Sequence, residues 1–198
     1  MLYGARIIVR FQEDCGLGAT FGTGCGSGVR AWRNADNRLL AKSKVNIVLV
    51  EPEIPPNTGN VARLCAATRT RLHLVEPFGF RLDDAQLKRA GMDYWQQVEW
   101  HRWPHWGAFV NQLPATARLW FIESGGRKLY TEVRYGPDDY LVFGRETAGL
   151  PKEFLEENPE QWLRIPMFDE KSRSLNLSNC AALVVFEALR QQGFQGEV

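Results

Sequence analysis

The chain has 198 residues, 44% of them hydrophobic and 24% charged, with a formal net charge of +1. That is ordinary globular composition and enough chain for one sizeable core, and the near-neutral balance excludes a globally basic nucleic-acid binder. No apolar run approaches the ~18 residues of a membrane span and no secretory leader pattern opens the chain, so a soluble, cytoplasmic protein is expected, with no membrane partner.

Residues 1–44 stand apart from the rest. They hold seven Lys/Arg against three Asp/Glu, while the remainder holds 17 against 20. Seven of the 18 glycines fall at or before Gly28, and no strand or helix period continues past Phe11. Gly22-Thr23-Gly24-Cys25-Gly26-Ser27-Gly28 does not fit a dinucleotide fingerprint and no amphipathic helix follows it, so it reads as flexible linker. We expect 1–44 to be a Gly-rich, disordered extension or a misassigned start, with Val45 as the alternative initiator, and 45–198 to form a single domain. Cys15, Cys25, Cys65 and Cys180 have neither CxxC spacing nor a histidine pattern, so no metal site and no disulfide framework is expected. Cys65 and Cys180 read as small core residues on helices.

From Val45 strand and helix signals alternate. A continuous apolar run predicts a strand over 46–50, and the spacing of Val61, Leu64, Cys65 and Thr68 predicts a helix over 58–68, capped by Asn57 or Thr58. A short strand follows over 72–75 and a helix over 83–90, acidic at its start and basic at its end. Trp95, Trp100, Trp103 and Trp106 cluster next; they pack against the domain or a second subunit, with base stacking as the alternative. Pro104 opens a helix toward Leu113. Strands are predicted over 118–122, 140–143 and 162–165, a helix from Pro151, and a last helix over 178–192 capped by Ser178. This alternation predicts an α/β fold with a parallel sheet and helices on both faces.

In open parallel sheets ligands bind beyond the carboxyl ends of the strands. Four polar loops lie there: 51–60, 122–125, 144–151 and 165–179. In the first, Gly59 permits close approach and Asn60 stands three residues from Arg63, on one helical face. In the third, Gly144 and Gly149 flank Glu146 and leave room for an extended ligand along the backbone. None of these loops carries a P-loop lysine, a metal cluster or a nucleophile elbow, which excludes nucleotide hydrolysis, metal catalysis and acyl transfer. Holding RNA would require a local basic surface, for which Arg63, Arg69, Arg71, Arg127, Lys128, Arg145, Lys171 and Arg173 are available.

Asn57-Thr58-Gly59-Asn60-Val61-Ala62-Arg63, Phe143-Gly144-Arg145-Glu146-Thr147-Ala148-Gly149-Leu150-Pro151, and Ile165-Pro166-Met167 with Ser174-Leu175-Asn176-Leu177-Ser178-Asn179 resemble the three motifs of the SPOUT methyltransferases, in order and at family spacing. From Asn46 to Val198 the chain is similar to the compact branch that methylates the ribose 2'-oxygen of the tRNA wobble nucleotide. The resemblance implies a C-terminal deep trefoil knot, a homodimer, and S-adenosylmethionine bound in the knot and released as S-adenosylhomocysteine. It implies cofactor contacts at Ile122, Gly144, Ile165 and Ser174, with Glu146, Gly149, Met167 and Leu175 nearby. It implies catalytic roles for Arg63, Asn60 and Asn176 on tRNA, with position 34 of leucine tRNA, cytidine or modified uridine, as the target. Alternatives of the same resemblance are another tRNA position, ribosomal RNA, or a noncatalytic RNA-binding protein that keeps the knot. Three positions depart from the family pattern: Ala148 where a basic residue is common, Phe186 where tyrosine is common, and Arg69 where glycine is usual.

Overall fold

The computed structural model describes residues 45–81, 95–169, 171–172 and 174–198. The extension 1–44, the helix expected over 83–90, and Arg173 lie outside the described residues. Seven strands are described: β1 (Asn46–Val50), β2 (Arg71–Val75), β3 (Trp100–Trp103), β4 (Leu119–Ile122), β5 (Lys128–Leu129), β6 (Tyr140–Phe143) and β7 (Trp162–Arg164). They form one sheet in the order β3-β2-β1-β6-β4-β7-β5, with every pairing parallel. Among the described residues four α-helices accompany them: α1 (Pro55–Thr68), α2 (Trp106–Val110), α3 (Lys152–Glu157) and α4 (Leu177–Gln191).

Strand periodicity divides the core into two layers. Ile47, Leu49, Leu72, Leu74, Leu141 and Phe143 point to the face covered by Val61, Ala62 and Cys65 of α1 and Ala181, Val184, Val185 and Ala188 of α4. Val48, Val50, Val75, Phe121 and Val142 point to the other, where Phe109 of α2 and Leu155 of α3 pack. Helices therefore lie on both faces, as the alternation predicted. Because β1 and β6 are buried on both sides, they read in sequence as unbroken apolar runs.

The tryptophans are divided by the same layers. Trp95 and Trp100 pack together, 4.4 Å between ring centroids, against the α1/α4 face. Trp103 and Trp106 pack on the opposite face, Trp106 stacked on Phe154 at 4.5 Å. They serve the core, not an aromatic platform.

Several boundaries differ from the sequence expectation. The first helix starts at Pro55, with Ile54 at the cap position and no side-chain cap bond, so neither Asn57 nor Thr58 caps it. Prolines fit a first helical turn because the N–H they lack would have had no intrahelical partner. After Pro104, His105 is the cap of α2, its Nδ1 accepting from Ala108 N at 3.1 Å. The last helix begins at Leu177 and is capped by Asn176, whose Oδ1 accepts from Ser178 N at 2.9 Å. Ser178 is thus the capped residue and not the cap. β3 and the two-residue β5 were not expected at all.

At the sheet end away from the long polar loops, Asp139 is 3% exposed and accepts from Arg118 Nε, Arg118 Nη2, Trp120 Nε1 and Gly136 N, each at 2.8 Å. Its carbonyl takes the Asn46 N–H at 2.8 Å. A buried carboxylate with this many donors is satisfied, and it ties the entries of β1, β4 and β6 together.

Candidate active site

The loops after β4, β6 and β7 and the start of α4 enclose a cleft of about 560 Å³. Ile122, Glu123 and Ser124 line it from β4, and the 143–149 stretch from β6. Ile165 and Met167 follow β7, Ser174 to Leu177 and Cys180 belong to α4 and its approach, and Ile54 and Asn57 come from the start of α1. Each of Ile122, Gly144, Glu146, Gly149, Ile165, Met167, Ser174 and Leu175, together with Asn176, is in this lining. Asn60 and Arg63 are not; they are exposed on α1, beyond the turn that carries Asn57.

The glycine loop is closed on itself. Arg145 N donates to Gly149 O at 3.1 Å and Gly149 N to Arg145 O at 3.0 Å, with Gly149 at φ 68°. A Cβ on Gly144 would lie 2.2 Å from the Gly149 carbonyl carbon, and one on Gly149 would lie 2.1 Å from Glu123 Oε2. The space expected for a ligand at these two glycines is therefore filled by the chain's own backbone and by Glu123. The glycines are needed for loop closure, and closure in turn fixes the backbone groups that face the cleft.

A reciprocal clasp joins this loop to the loop after β1. The Glu146 carboxylate accepts from Glu53 N at 2.8 Å, Ile54 N at 3.2 Å and Asn57 Nδ2 at 3.1 Å. It thereby supplies, from 93 residues away, the acceptor that the N-terminus of α1 lacks locally. In return Glu53 accepts from Thr147 N at 3.0 Å and Thr147 Oγ1 at 2.6 Å, and Glu51 pairs with Arg145. Asn57 extends the network to the third loop, its Oδ1 accepting from Asn176 Nδ2 at 2.8 Å. The three motif segments thus meet at Asn57, which is 5% exposed. Sequence reasoning took Asn57 only for a cap; an amide, able to donate to a carboxylate and accept from a second amide, is the available signal.

Arg145, Arg71 and Lys128, expected to help form a basic surface, are paired with Glu51, with Glu99 and Asp138, and with Glu160. Burial, joined by the negative charge of Glu123, pushes the Cys180 thiol up to about 11, and burial pushes Cys65 up as well. Neither thiol is a nucleophile at neutral pH. Cys65 is core, whereas Cys180 also lines the cleft. Among the described residues no cluster of His, Cys, Asp or Glu is arranged to hold a metal ion, and no helix is long and apolar enough to cross a membrane. What the cleft offers is apolar walls, fixed loop amides and carbonyls, and two carboxylates, Glu123 and Glu146.

Residues 44–186 match the model of the SpoU rRNA methylase family. A tRNA (cytidine(34)-2'-O)-methyltransferase of Saccharophagus degradans is 56% identical over 154 residues, which span 76% of this chain and 97% of that protein. A structure solved to explain the 2-OH methylation of C/U34 on tRNA superposes with a TM-score of 0.73 at 42% identity, over 77% of this chain and 99% of its own. An AdoMet-bound rRNA methyltransferase from Sinorhizobium meliloti superposes with a TM-score of 0.67 at 25% identity, over 75% of this chain and 57% of its own.

Proposed function

The chain belongs to the SpoU rRNA methylase family and is a methyltransferase, and we propose that it moves the methyl group of S-adenosylmethionine to the ribose 2'-oxygen of nucleotide 34, cytidine or modified uridine, of tRNA, with leucine tRNA as the substrate. The observation that carries this reading is the convergence of three separate loops on one cleft, joined through Glu146, Asn57 and Asn176.

S-adenosylmethionine suits the residues present. Ile122, Ile165 and Leu177 offer apolar surface to a base, the closed 145–149 loop offers peptide groups to hydroxyls, and the carboxylates suit a cationic ligand. Bound there, the cofactor supplies an electrophilic methyl group. Ile122, Gly144, Ile165 and Ser174 would hold it, with Glu146, Gly149, Met167 and Leu175 shaping the loops around them.

Asn60 and Asn176 orient the ribose. Arg63 binds the nucleotide's phosphate or the developing alkoxide, because a guanidinium is a poor base and a good fork for phosphate oxygens, and the proton leaves through phosphate or water. Alignment of the hydroxyl is the main catalytic contribution, worth up to roughly 7 to 11 kcal/mol in the best intramolecular cases.

In this reading the segment from Ile165 into α4 is threaded as a deep trefoil knot. Insertion of β6 between β1 and β4, with α4 packed back over β6 and α1, supports it. A homodimer belongs to the same reading, and the apolar surface left on α4, where Leu183 is 41% and Phe186 50% exposed, suits it. The enzyme would work in the cytoplasm, on tRNA, without a metal.

Nucleoside mass spectrometry of tRNA from cells with and without the gene tests the function. Loss of one 2'-O-methyl group at position 34 is expected. An unchanged profile in tRNA, with or without a change in ribosomal RNA, refutes the assignment.

A further inference from the structure

Of the two carboxylates in the cleft, Glu146 is committed to the N-terminus of α1 and to Asn57. Glu123 likewise accepts only from neutral donors, but it does not face the positive end of the α1 dipole, which offsets the charge of Glu146. Glu123 Oε1 accepts from Ser124 N at 2.8 Å and Ser124 Oγ at 3.0 Å, and its Oε2 accepts from Leu150 N at 3.0 Å. Among the described residues no cation pairs with it, and the guanidinium in the lining, Arg145, is engaged by Glu51.

The position of Glu123 is also fixed. Its carboxylate fills the space beside the Gly149 Cα that any side chain there would need. Both oxygens act as acceptors, and the carboxylate brings a full negative charge to the cleft along with them. That charge is felt inside the cleft, where it contributes to keeping the Cys180 thiol protonated.

We propose that the Glu123 carboxylate makes the cleft discriminate by charge between the cationic methyl donor and its neutral product. The inference rests on the S-adenosylmethionine reading above. Methyl transfer breaks the bond from sulfur to the methyl carbon and the O–H bond of the ribose hydroxyl, forms the bond from carbon to the ribose oxygen, and passes the proton to phosphate or water. The sulfonium leaves as a thioether with one positive charge less. A fixed, uncompensated carboxylate favours the sulfonium form and gives no such advantage to the product, which is then the easier of the two to release.

Isothermal titration of the full chain with S-adenosylmethionine and with S-adenosylhomocysteine tests this. The Kd ratio, product over donor, is expected to fall by about three- to tenfold in Glu123→Gln and to be retained in Glu123→Asp. In the unaltered protein high salt should move the ratio toward that of Glu123→Gln, a measurement that needs no variant to fold. A ratio unchanged in Glu123→Gln, or equal weakening of both ligands, overturns the inference and leaves Glu123 a prop for the Leu150 amide. Failure of the unaltered protein to bind either ligand sinks the cofactor reading itself.

Discussion

Asn176 donates its side-chain amide to Oδ1 of Asn57 at 2.8 Å, and so the residue that caps the last helix is held by the first turn of the first helix. The same Asn57 amide donates to Glu146 of the glycine loop. Side chains from three distant stretches therefore share one buried polar chain, in which each member's position depends on the other two.

Replacing Asn57 by Asp keeps its size and its acceptor for Asn176 but sets a second carboxylate against Glu146. Loss of about 1–3 kcal/mol is expected from the broken donor bond and the like-charge contact. Urea denaturation measures the loss. Titration of S-adenosylmethionine into the folded variant should show weaker binding, because the 145–149 loop and Asn176 are both displaced.

Gly144→Ala drives a methyl group into the Gly149 carbonyl, which lies only 2.2 Å from the required Cβ position. The loop must open, with loss of the paired Arg145 and Gly149 backbone bonds and a cost on the order of 3 kcal/mol. Cofactor binding by calorimetry should fall below detection while the circular dichroism of the sheet and helices persists.

Arg69 ends α1 at φ 55° and ψ 27°, a left-handed conformation that costs a side-chain-bearing residue roughly 1 kcal/mol. Arg69→Gly should therefore raise stability, by about 0.5–1 kcal/mol, visible as a higher thermal midpoint. The departure from the family's usual glycine at this position is thus a departure at a measurable cost.

His73 is 6% exposed, and its Nδ1 accepts from the Trp103 indole N–H at 3.2 Å. Burial first, then the positive charges of His101 and Arg71, push its pKa down to about 3. An unfolded histidine titrates near ~6.5, so between those values the unfolded chain binds more protons. The stabilisation is complete above about pH 6.5 and is lost as pH falls toward 3. From this residue alone, folding free energy should drop by about 2 kcal/mol between about pH 7 and 5. Urea midpoints across that interval check it, and His73→Gln should show a correspondingly flatter profile.

The central strands were legible because burial on both faces leaves no alternation to misread. Asn46 to Val50 and Tyr140 to Phe143 are almost wholly apolar and lie within a residue of where their sequences put them. β3 was not legible: Trp-His-Arg-Trp is an edge strand with its middle residues exposed, and it carries no apolar run. The cleft lining could be read from the loops that follow strands, since sheet topology alone gathers them at one end. The clasp could not, because Glu53 and Glu146 are 93 residues apart and nothing local in either stretch reveals that one caps the other's helix. Likewise the need for Gly144 lies in a backbone carbonyl five positions on, while spacing alone suggested room for a ligand.

The place of β6 between β1 and β4 bears on how the molecule is made. β1 emerges from the ribosome early, yet the partner for one of its edges arrives only after β2, β3, β4 and β5 have been synthesised. Until then an almost wholly apolar strand has an open edge, which is a template for pairing with other chains. Contacts of such long sequence separation slow closure, to milliseconds or longer for a chain of this kind. Shortening the chain anywhere before β6 should therefore yield aggregate in place of a smaller folded domain.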